Sequence, residues 1–255
     1  MATALVTGAT AGIGAAFARR LAQNGYDLVL VAREVARLEA TANDLRRRFG
    51  ADVEVLPADL ADRAQLKRVE ERLADDAPPI ELLVNNAGFG LNRSFIRSDI
   101  EQQQAQFDVL VTAVLRLTHA AARGMVARGH GSILNVSSVA SFLPSGTYGA
   151  AKAYVTHLSE SLNGDLARQG VHVMAFCPGF VRTEMQQRMG VTSTGIPDWM
   201  WLDADVVVDK ALHDLERGLA VSVQDIRYKV IVGVLKVAPR RAIAAAYRRR
   251  RNTAR

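Results

Sequence analysis

The stretch Thr3-Ala4-Leu5-Val6-Thr7-Gly8-Ala9-Thr10-Ala11-Gly12-Ile13-Gly14 decides the fold of this 255-residue chain. Its first five residues are β-branched or apolar and predict a short strand. Three glycines follow and allow a tight turn, and residues 15–22 have the pattern of a helix. A glycine turn between a strand and a helix lets the backbone approach a pyrophosphate at the helix N-terminus. We therefore predict a dinucleotide-binding turn, with a plain strand-to-helix turn as the alternative.

The rest of the chain alternates between strand-like and helix-like segments, without a linker, a repeat or a low-complexity region. This alternation predicts an α/β protein with a Rossmann-type, doubly wound parallel sheet and helices on both faces. We expect one domain at residues 1–225 and a basic, partly apolar tail at 226–255. Further strands are predicted at 26–32, 53–56, 80–84, 132–136 and 171–176.

Composition limits the function classes. The chain is 49% apolar and 23% charged, as in soluble globular proteins. Its one cysteine, Cys177, excludes an internal disulfide and a cysteine-based metal cluster, and no metal site is predicted. The first apolar run lacks a basic flank, and we expect no signal peptide and no membrane span. The predicted location is the cytoplasm.

The net charge of +6 belongs to the tail. Residues 226–255 hold ten of the 32 Lys and Arg and none of the 26 Asp and Glu, so residues 1–225 carry 22 basic and 26 acidic groups, a net of −4. Nucleic-acid binding by the main domain is therefore not expected. For the tail, with apolar residues 230–238 beside clustered Arg, three alternatives stay open: peripheral contact with an anionic membrane, a subunit contact, and a solvated end.

Small and polar residues follow the predicted strands at the edge where open α/β sheets bind ligands. They include Asp59-Leu60, Asn86-Ala87-Gly88, Ser138 and Pro178-Gly179. Arg33 follows the second strand, where an acidic residue would accept the ribose 2′-OH of NAD. An arginine suits a 2′-phosphate instead, which favours NADP(H) over NAD(H). The alternative is that Arg33 is only the exposed start of the next helix.

The pair Tyr148 and Lys152 is spaced by four residues, which places both side chains on one face of a helix. A nearby ammonium favours the phenolate and lowers the phenol pKa, so that the tyrosine can exchange a proton with a substrate oxygen. Alone the spacing is weak evidence, because many such pairs are solvated.

Together these motifs, in this order, resemble the short-chain dehydrogenase/reductase superfamily over residues 3 to 185, and most of all its bacterial NADP-linked carbonyl reductases. The resemblance implies an NADP(H)-dependent oxidoreductase that interconverts a ketone or aldehyde and an alcohol. It also implies a homodimer or homotetramer joined through helices at about 100–127 and 148–168. The motifs that carry it are Thr7-Gly-x-x-x-Gly12-x-Gly14, Asn85-Asn-Ala-Gly88, Ser138, Tyr148-x-x-x-Lys152 and Pro178-Gly179.

The resemblance assigns roles to the matching residues. Tyr148 would be the acid/base, Lys152 would lower its pKa and bind the nicotinamide ribose, and Ser138 would hold the substrate oxygen. Asp59 would contact the adenine. The residues implied in cofactor binding are Gly8, Thr10, Ala11, Gly12, Ile13, Gly14, Arg33, Asp59, Leu60, Asn86, Ala87, Gly88, Tyr148, Lys152, Pro178, Gly179, Val181 and Thr183.

Two departures from the family pattern affect these roles. Leu110 takes the position of the family's catalytic Asn. Since that Asn acts partly through its main-chain carbonyl, we expect an impaired or rerouted proton relay more than an inactive enzyme. The interval from Ser138 to Tyr148 is also shorter than usual, with Ser137 as the fallback for the serine.

A substrate lid is predicted at about 184–202, and its apolar residues indicate a pocket for a bulky hydrophobic substrate, with ordinary lid packing as the alternative. Two other functions stay open. One is a non-catalytic NADP-binding sensor or scaffold, which Leu110 favours. The other is a sugar-nucleotide epimerase-like enzyme, which the glycine spacing disfavours. The predicted pocket residues are Phe89, Leu91, Phe142, Leu143, Met185, Met189, Ile196, Trp199, Met200, Trp201 and Leu202.

Overall fold

Seven parallel strands form the central sheet of the computed structural model, which describes residues 2–76, 78–91, 95–183, 197–239, 241 and 243. The strand order is β3-β2-β1-β4-β5-β6-β9, and β7 and β8 form a separate two-stranded sheet. The strands are β1 Thr3–Thr7, β2 Asp27–Ala32, β3 Val53–Pro57, β4 Ile80–Asn85, β5 Gly131–Val136, β6 Val171–Cys177, β7 Phe180–Val181, β8 Trp201–Leu202 and β9 Val221–Val223.

Helices cover both faces of the sheet. They are α1 Gly12–Gln23, α2 Val35–Phe49, α3 Arg63–Ala74, α4 Ile100–Phe107, α5 Ala113–Arg128, α6 Gly146–Leu166, α7 Ala204–Glu216 and α8 Ile226–Val237. Successive strand residues point to opposite faces, so Val6 packs with α1, α2 and α7 while Leu5 packs with α3 and α5. The predicted doubly wound α/β fold is confirmed.

The strand order reverses at β1, which pairs with β2 on one side and with β4 on the other. The chain turns to α1 after β1, and the loop after β4 lies beside that turn. Crevices of this kind, at the carboxyl ends of the strands, are where open α/β sheets bind ligands. The fold therefore puts the glycine turn and the residues after β4 at a ligand-binding position.

A polar cluster lies inside the sheet, next to this crevice. The Asn85 side chain donates to Asn135 Oδ1 at 2.8 Å, and Asn135 donates to Ser159 Oγ at 3.0 Å. The Thr118 hydroxyl donates to the same Asn135 oxygen at 3.3 Å. Because buried polar groups cost stability unless they are paired, this cluster fixes β4, β5, α5 and α6 relative to one another.

The predicted long helix at about 100–127 contains a π-helical turn, Asp108–Thr112, between α4 and α5. By length and composition the run Ile100–Arg128 could cross a membrane, contrary to the expectation that no segment would, but half of its apolar window is buried inside the fold. Its apolar character is that of a core helix packed on β4, β5 and α3.

The segment predicted as a tail begins with α8, whose Tyr228 and Val232 are buried against the domain. The proposed division at residue 225 stays a prediction. Residues 184–196 of the predicted lid, with Met185, Met189 and Ile196, and most of the chain after 239 lie outside the described residues.

Candidate active site

The glycine turn has the backbone that its sequence predicts. Gly8 and Gly12 adopt φ values of +66° and +53°, a region that L side chains rarely occupy. A Cβ on Gly14 would overlap the Gly8 carbonyl and the Asn86 side chain. The turn thus requires glycine at these positions and brings backbone, with no Cβ at Gly12 or Gly14, to the N-terminus of α1, where a pyrophosphate can approach closely.

The loop after β4 is tied to this turn by hydrogen bonds. The Thr7 hydroxyl accepts from the backbone N–H of Asn86 at 2.9 Å and of Ala87 at 3.0 Å. The Asn86 side chain donates to the Thr7 carbonyl at 2.9 Å. The Asn86-Ala87-Gly88 loop is therefore held against the glycine turn by side chains from both segments.

The ends of β2 and β3 supply the remaining residues predicted for the adenine side. Arg33 is exposed and makes no hydrogen bond or ion pair to the part of the chain that the structure describes. Arg37, one turn later, donates to the Thr10 carbonyl at 3.0 Å. The Asp59 carboxylate accepts from the Ala61 N–H at 3.0 Å, and Leu60 is buried beside it.

The structure brings Ser138 and Tyr148 together across the shortened loop. Residues Val139–Phe142 form a 3₁₀ helix, whose first turn is capped by Ser138 Oγ accepting from Ala140 N–H at 3.1 Å. Burial raises the pKa of Tyr148, and interaction with the Ser138 hydroxyl opposes this shift. The predicted lowering of the Tyr148 pKa by Lys152 was thus wrong: desolvation dominates the phenol in this structure.

Lys152, one helical turn after the tyrosine, is buried, with only 4% of the residue exposed. Its ammonium donates to the Val136 carbonyl at 2.6 Å and lies 5.8 Å from the centre of the Tyr148 ring. Burial lowers the pKa of Lys152 to about 8, and the nearby Cys177 opposes this shift. The ammonium is therefore held at the carboxyl end of β5, facing the loop that contains Gly88.

The Ser137 side chain points away from Tyr148 and into the contact between β5 and α6. Its hydroxyl donates to the Lys152 carbonyl at 2.8 Å and lies 2.7 Å from the Thr156 hydroxyl. Ser137 is 2% exposed and joins β5 to α6. The geometry therefore favours Ser138 over the fallback Ser137 for contact with a ligand.

Leu110 is fully buried in the π-helical turn, where it packs with Val111, Ala151 and Tyr148. Its Cδ2 would lie 2.8 Å from a Cβ on Gly88. The position next to the tyrosine that the family gives to an Asn is thus filled by an apolar side chain. The Asn135 amide is occupied in the buried cluster, and Thr112 donates to Asp108 at 3.2 Å.

The segment after β6 closes the site from the other side. The Pro178 carbonyl accepts from the Val139 N–H at 3.1 Å. A Cβ on Gly179 would overlap the ring of Tyr228. The Thr183 side chain faces Gly12, with its Cβ 3.0 Å from the place of a Gly12 Cβ, and Val181 between these points is buried.

Tyr228 is a residue of this region that sequence reasoning missed. Its hydroxyl accepts from the Phe180 N–H at 3.0 Å and donates to the Met200 carbonyl at 2.6 Å. It therefore joins the strand that follows Gly179 to the end of the predicted lid. No sequence pattern marks Tyr228 as part of this site, because its partners are backbone groups distant in sequence.

The lid residues that the structure describes contribute aromatic side chains to this side. The Trp201 ring packs against Phe180 at 5.8 Å, while Trp199 is largely exposed. Phe142, from the loop after Ser138, lies under the Lys236 ammonium. Among the described residues no group of three His, Cys, Asp or Glu could hold a metal.

Comparison with known proteins shows to which family the chain belongs. A family model described as short chain dehydrogenase matches residues 2–193. An uncharacterised oxidoreductase of Staphylococcus epidermidis is 30% identical over 231 residues, which cover 89% of this chain and 96% of the relative.

Solved structures match over nearly the whole length. A short-chain dehydrogenase from Sphingobium yanoikuyae in complex with NADPH superposes with a TM-score of 0.85 and 38% identity, over 92% of this chain and 94% of the other. A bulky-bulky ketone specific alcohol dehydrogenase from Comamonas testosteroni superposes with a TM-score of 0.79 and 33% identity, over 94% of this chain and 95% of the other.

Proposed function

Because this chain belongs to the short chain dehydrogenase family and is therefore an oxidoreductase acting on CH–OH groups, we propose that it interconverts bulky hydrophobic ketones and alcohols with NADP(H). The observation that carries the proposal is the meeting of Ser138, Tyr148 and Lys152 beside the loop that contains Gly88, which is itself bonded to the glycine turn.

The described residues fit a dinucleotide. The glycine turn at Gly8, Gly12 and Gly14 suits a pyrophosphate, and the exposed Arg33 suits a 2′-phosphate. The cofactor, when bound, supplies or accepts the hydride. The likeness to a Sphingobium enzyme in complex with NADPH supports NADP(H) over NAD(H).

Proton transfer is the part that the chain itself performs. In the reducing direction Tyr148 gives its proton to the carbonyl oxygen of the substrate. The Ser138 hydroxyl donates a hydrogen bond to the same oxygen and stabilises the charge that develops there. Interaction with the Ser138 hydroxyl opposes the rise in the Tyr148 pKa that burial causes, which eases the transfer.

The substrate class follows from the apolar surroundings. Phe142 ends the 3₁₀ helix after Ser138, and Phe180 and Trp201 pack together in β7 and β8, at the predicted substrate side. Such surfaces favour large apolar substrates. The similarity to the bulky-bulky ketone specific enzyme supports the same class.

We also propose a homo-oligomer in the cytoplasm, formed through the helices at about 100–127 and 148–168, which correspond to α4, α5 and α6. Large apolar side chains are exposed along this region, and a cavity of about 190 Å³ lies between α4 and α6. Sedimentation velocity would test it, and a monomer at micromolar concentration would contradict it. The exposed side chains are Phe95, Ile96, Ile100, Phe107 and Tyr154.

The test of the main proposal is NADPH oxidation with a matched series of ketones, from small polar to aryl, steroid-like and long-chain acyl compounds. We expect the highest kcat/KM on the bulky members, and a loss of about 10²-fold or more in Tyr148→Phe with NADPH binding retained. Best turnover on small polar ketones would contradict the substrate class.

A non-catalytic NADP-binding sensor is the second candidate, because Leu110 fills the space beside Tyr148 with apolar atoms. The same experiment separates the two. Tight NADPH binding with no turnover on any ketone, unchanged by Tyr148→Phe, would support the sensor. Turnover that depends on Tyr148 would exclude it.

A further inference from the structure

Helix α8 presents an apolar face to solvent, and no other part of the chain that the structure describes covers it. Four of its residues, spaced by four, four and three positions, are each exposed over more than half of their surface. The spacing places them on one side of the helix, and they are called here the outer face. The outer face consists of Ile226, Val230, Val234 and Val237.

The opposite side of α8 is anchored to the domain. Tyr228 is 2% exposed, and its hydroxyl bonds to the backbone of Phe180 and Met200. Val232, one turn later, is also buried. The Arg227 side chain donates to the Trp199 carbonyl and pairs with Asp225 at 2.6 Å. The outer face therefore has a fixed orientation on a folded scaffold.

Two lysines of α8, Lys229 and Lys236, border this face. Lys229 is exposed, and the Lys236 ammonium lies 5.6 Å from the Phe142 ring at the border of the helix. The sequence from 226 to 255 contains ten Lys and Arg and no acidic residue, whereas residues 1–225 have a net charge of −4. An apolar stripe bordered by basic residues combines the two attractions that hold a helix on an anionic bilayer.

A second copy of the chain is a poorer occupant. In a twofold contact through the outer face the same patch meets itself, so the basic residues around one α8 would face those around the other. Like charges placed opposite one another oppose such an association. An acidic nucleic acid would meet the charges but leave the apolar stripe unused.

We propose that the outer face of α8 and the basic residues around it bind the surface of an anionic lipid bilayer. Binding is peripheral, because α8 is anchored to the domain through Tyr228 and has 12 residues, too few to cross a bilayer. Since α8 contacts the loop after Ser138 and the end of the predicted lid, the bilayer would lie beside the candidate active site.

The experiment is cosedimentation of the full chain with vesicles of phosphatidylcholine and phosphatidylglycerol in equal parts, and with vesicles of phosphatidylcholine alone. We expect binding to the anionic vesicles only, weakened by added salt. The pair Val230→Ser and Val234→Ser should lower the partition coefficient about tenfold or more, because two apolar side chains no longer enter the interface. The matched control is Val35→Ser with Val206→Ser, two other exposed valines.

Thermal unfolding of both double variants shows that they are folded, and the assay needs no turnover, so its outcome is independent of the proposed reaction. No binding of the wild type to anionic vesicles would overturn the proposal. Equal binding of the α8 variant would assign the attraction to charge alone and would also overturn it. So would a change in sedimentation coefficient confined to the α8 variant, which would make the face a contact between copies.

Discussion

The Lys152 ammonium lies 2.6 Å from the Val136 carbonyl oxygen, the last residue of β5, and is almost fully buried there. One hydrogen bond to a neutral carbonyl does not replace the water that an ammonium loses on burial. Desolvation therefore dominates, and the pKa of Lys152 falls from 10.5 to about 8.

This shift predicts that the stability contribution of Lys152 rises with pH. Below pH about 8 both the folded and the unfolded chain hold the proton, and burial of the charge destabilises the fold. Between about 8 and 10.5 the folded chain has released the proton while the unfolded chain keeps it, so the free energy of unfolding increases, by up to about 3 kcal/mol. Urea denaturation of wild type and Lys152→Met over this range would measure the difference. A difference that stays constant with pH would contradict the prediction.

Alanine substitutions of the neighbouring residues Ser137 and Ser138 should differ in their effect on turnover. Ser138→Ala should lower kcat by about 10²-fold or more, because it removes the hydrogen bond to the substrate oxygen, and should cost about 1 kcal/mol of stability through loss of the cap on Ala140. Ser137→Ala should cost about 1 kcal/mol of stability, because it removes the bond to the Lys152 carbonyl, and should leave most of kcat. Each variant is the control for the other. The reverse pattern would move the catalytic assignment to Ser137.

Cofactor choice should depend on Arg33. We expect Arg33→Asp to shift the ratio of NADPH to NADH affinity by roughly tenfold to hundredfold toward NADH, because a charge-assisted hydrogen bond to the 2′-phosphate becomes a repulsion. Fluorescence titration with both cofactors measures it. Arg47→Asp makes the same charge change at the exposed end of α2 and should leave the ratio unchanged. An equal shift in both variants would show that only net charge matters.

Substitution by alanine should have opposite effects on stability at two glycines that lie in helices, Gly14 and Gly164. Gly14→Ala places a methyl group against the Gly8 carbonyl and the Asn86 side chain, so we expect a loss of about 1 to 3 kcal/mol and of NADPH binding. Gly164, in α6, has open space around its Cβ position. Gly164→Ala should therefore be neutral or stabilise by about 0.5 to 1 kcal/mol. Thermal unfolding and NADPH titration check both, and a normal NADPH affinity in Gly14→Ala would contradict the role of the glycine turn.

The sequence predicted the sheet well where long-range packing and local pattern agree. Six of the seven strands of the sheet were predicted because each is rich in apolar residues, and five of them are mostly buried; β3, at the edge of the sheet, is only partly buried. The seventh, Val221–Val223, has only three residues, and Ser222 interrupts them. The sequence does not predict this strand, because three residues are too few to show the alternation of apolar and polar side chains that marks a strand. Its Ser222 side chain donates a hydrogen bond to the Asp214 carboxylate at 2.8 Å.

In the site, motifs predicted which residues meet, but not their electrostatics. The spacing of Tyr148 and Lys152 places them on one helix face, yet the direction of the Tyr148 pKa depends on how much water surrounds the phenol. That is a property of the whole fold. The contacts of Tyr228 with Phe180 and Met200 likewise arise only when α8 packs on the domain.

Gly88 and Leu110 have a consequence for how this site can evolve. Because Leu110 Cδ2 occupies the space that any side chain at position 88 would enter, the two positions share one fixed volume. In a library randomised at both positions, a larger residue at 88 should survive only with a smaller one at 110. The departure at Leu110 is thus epistatic with the loop that follows β4, and each position restricts which mutations the other can accept.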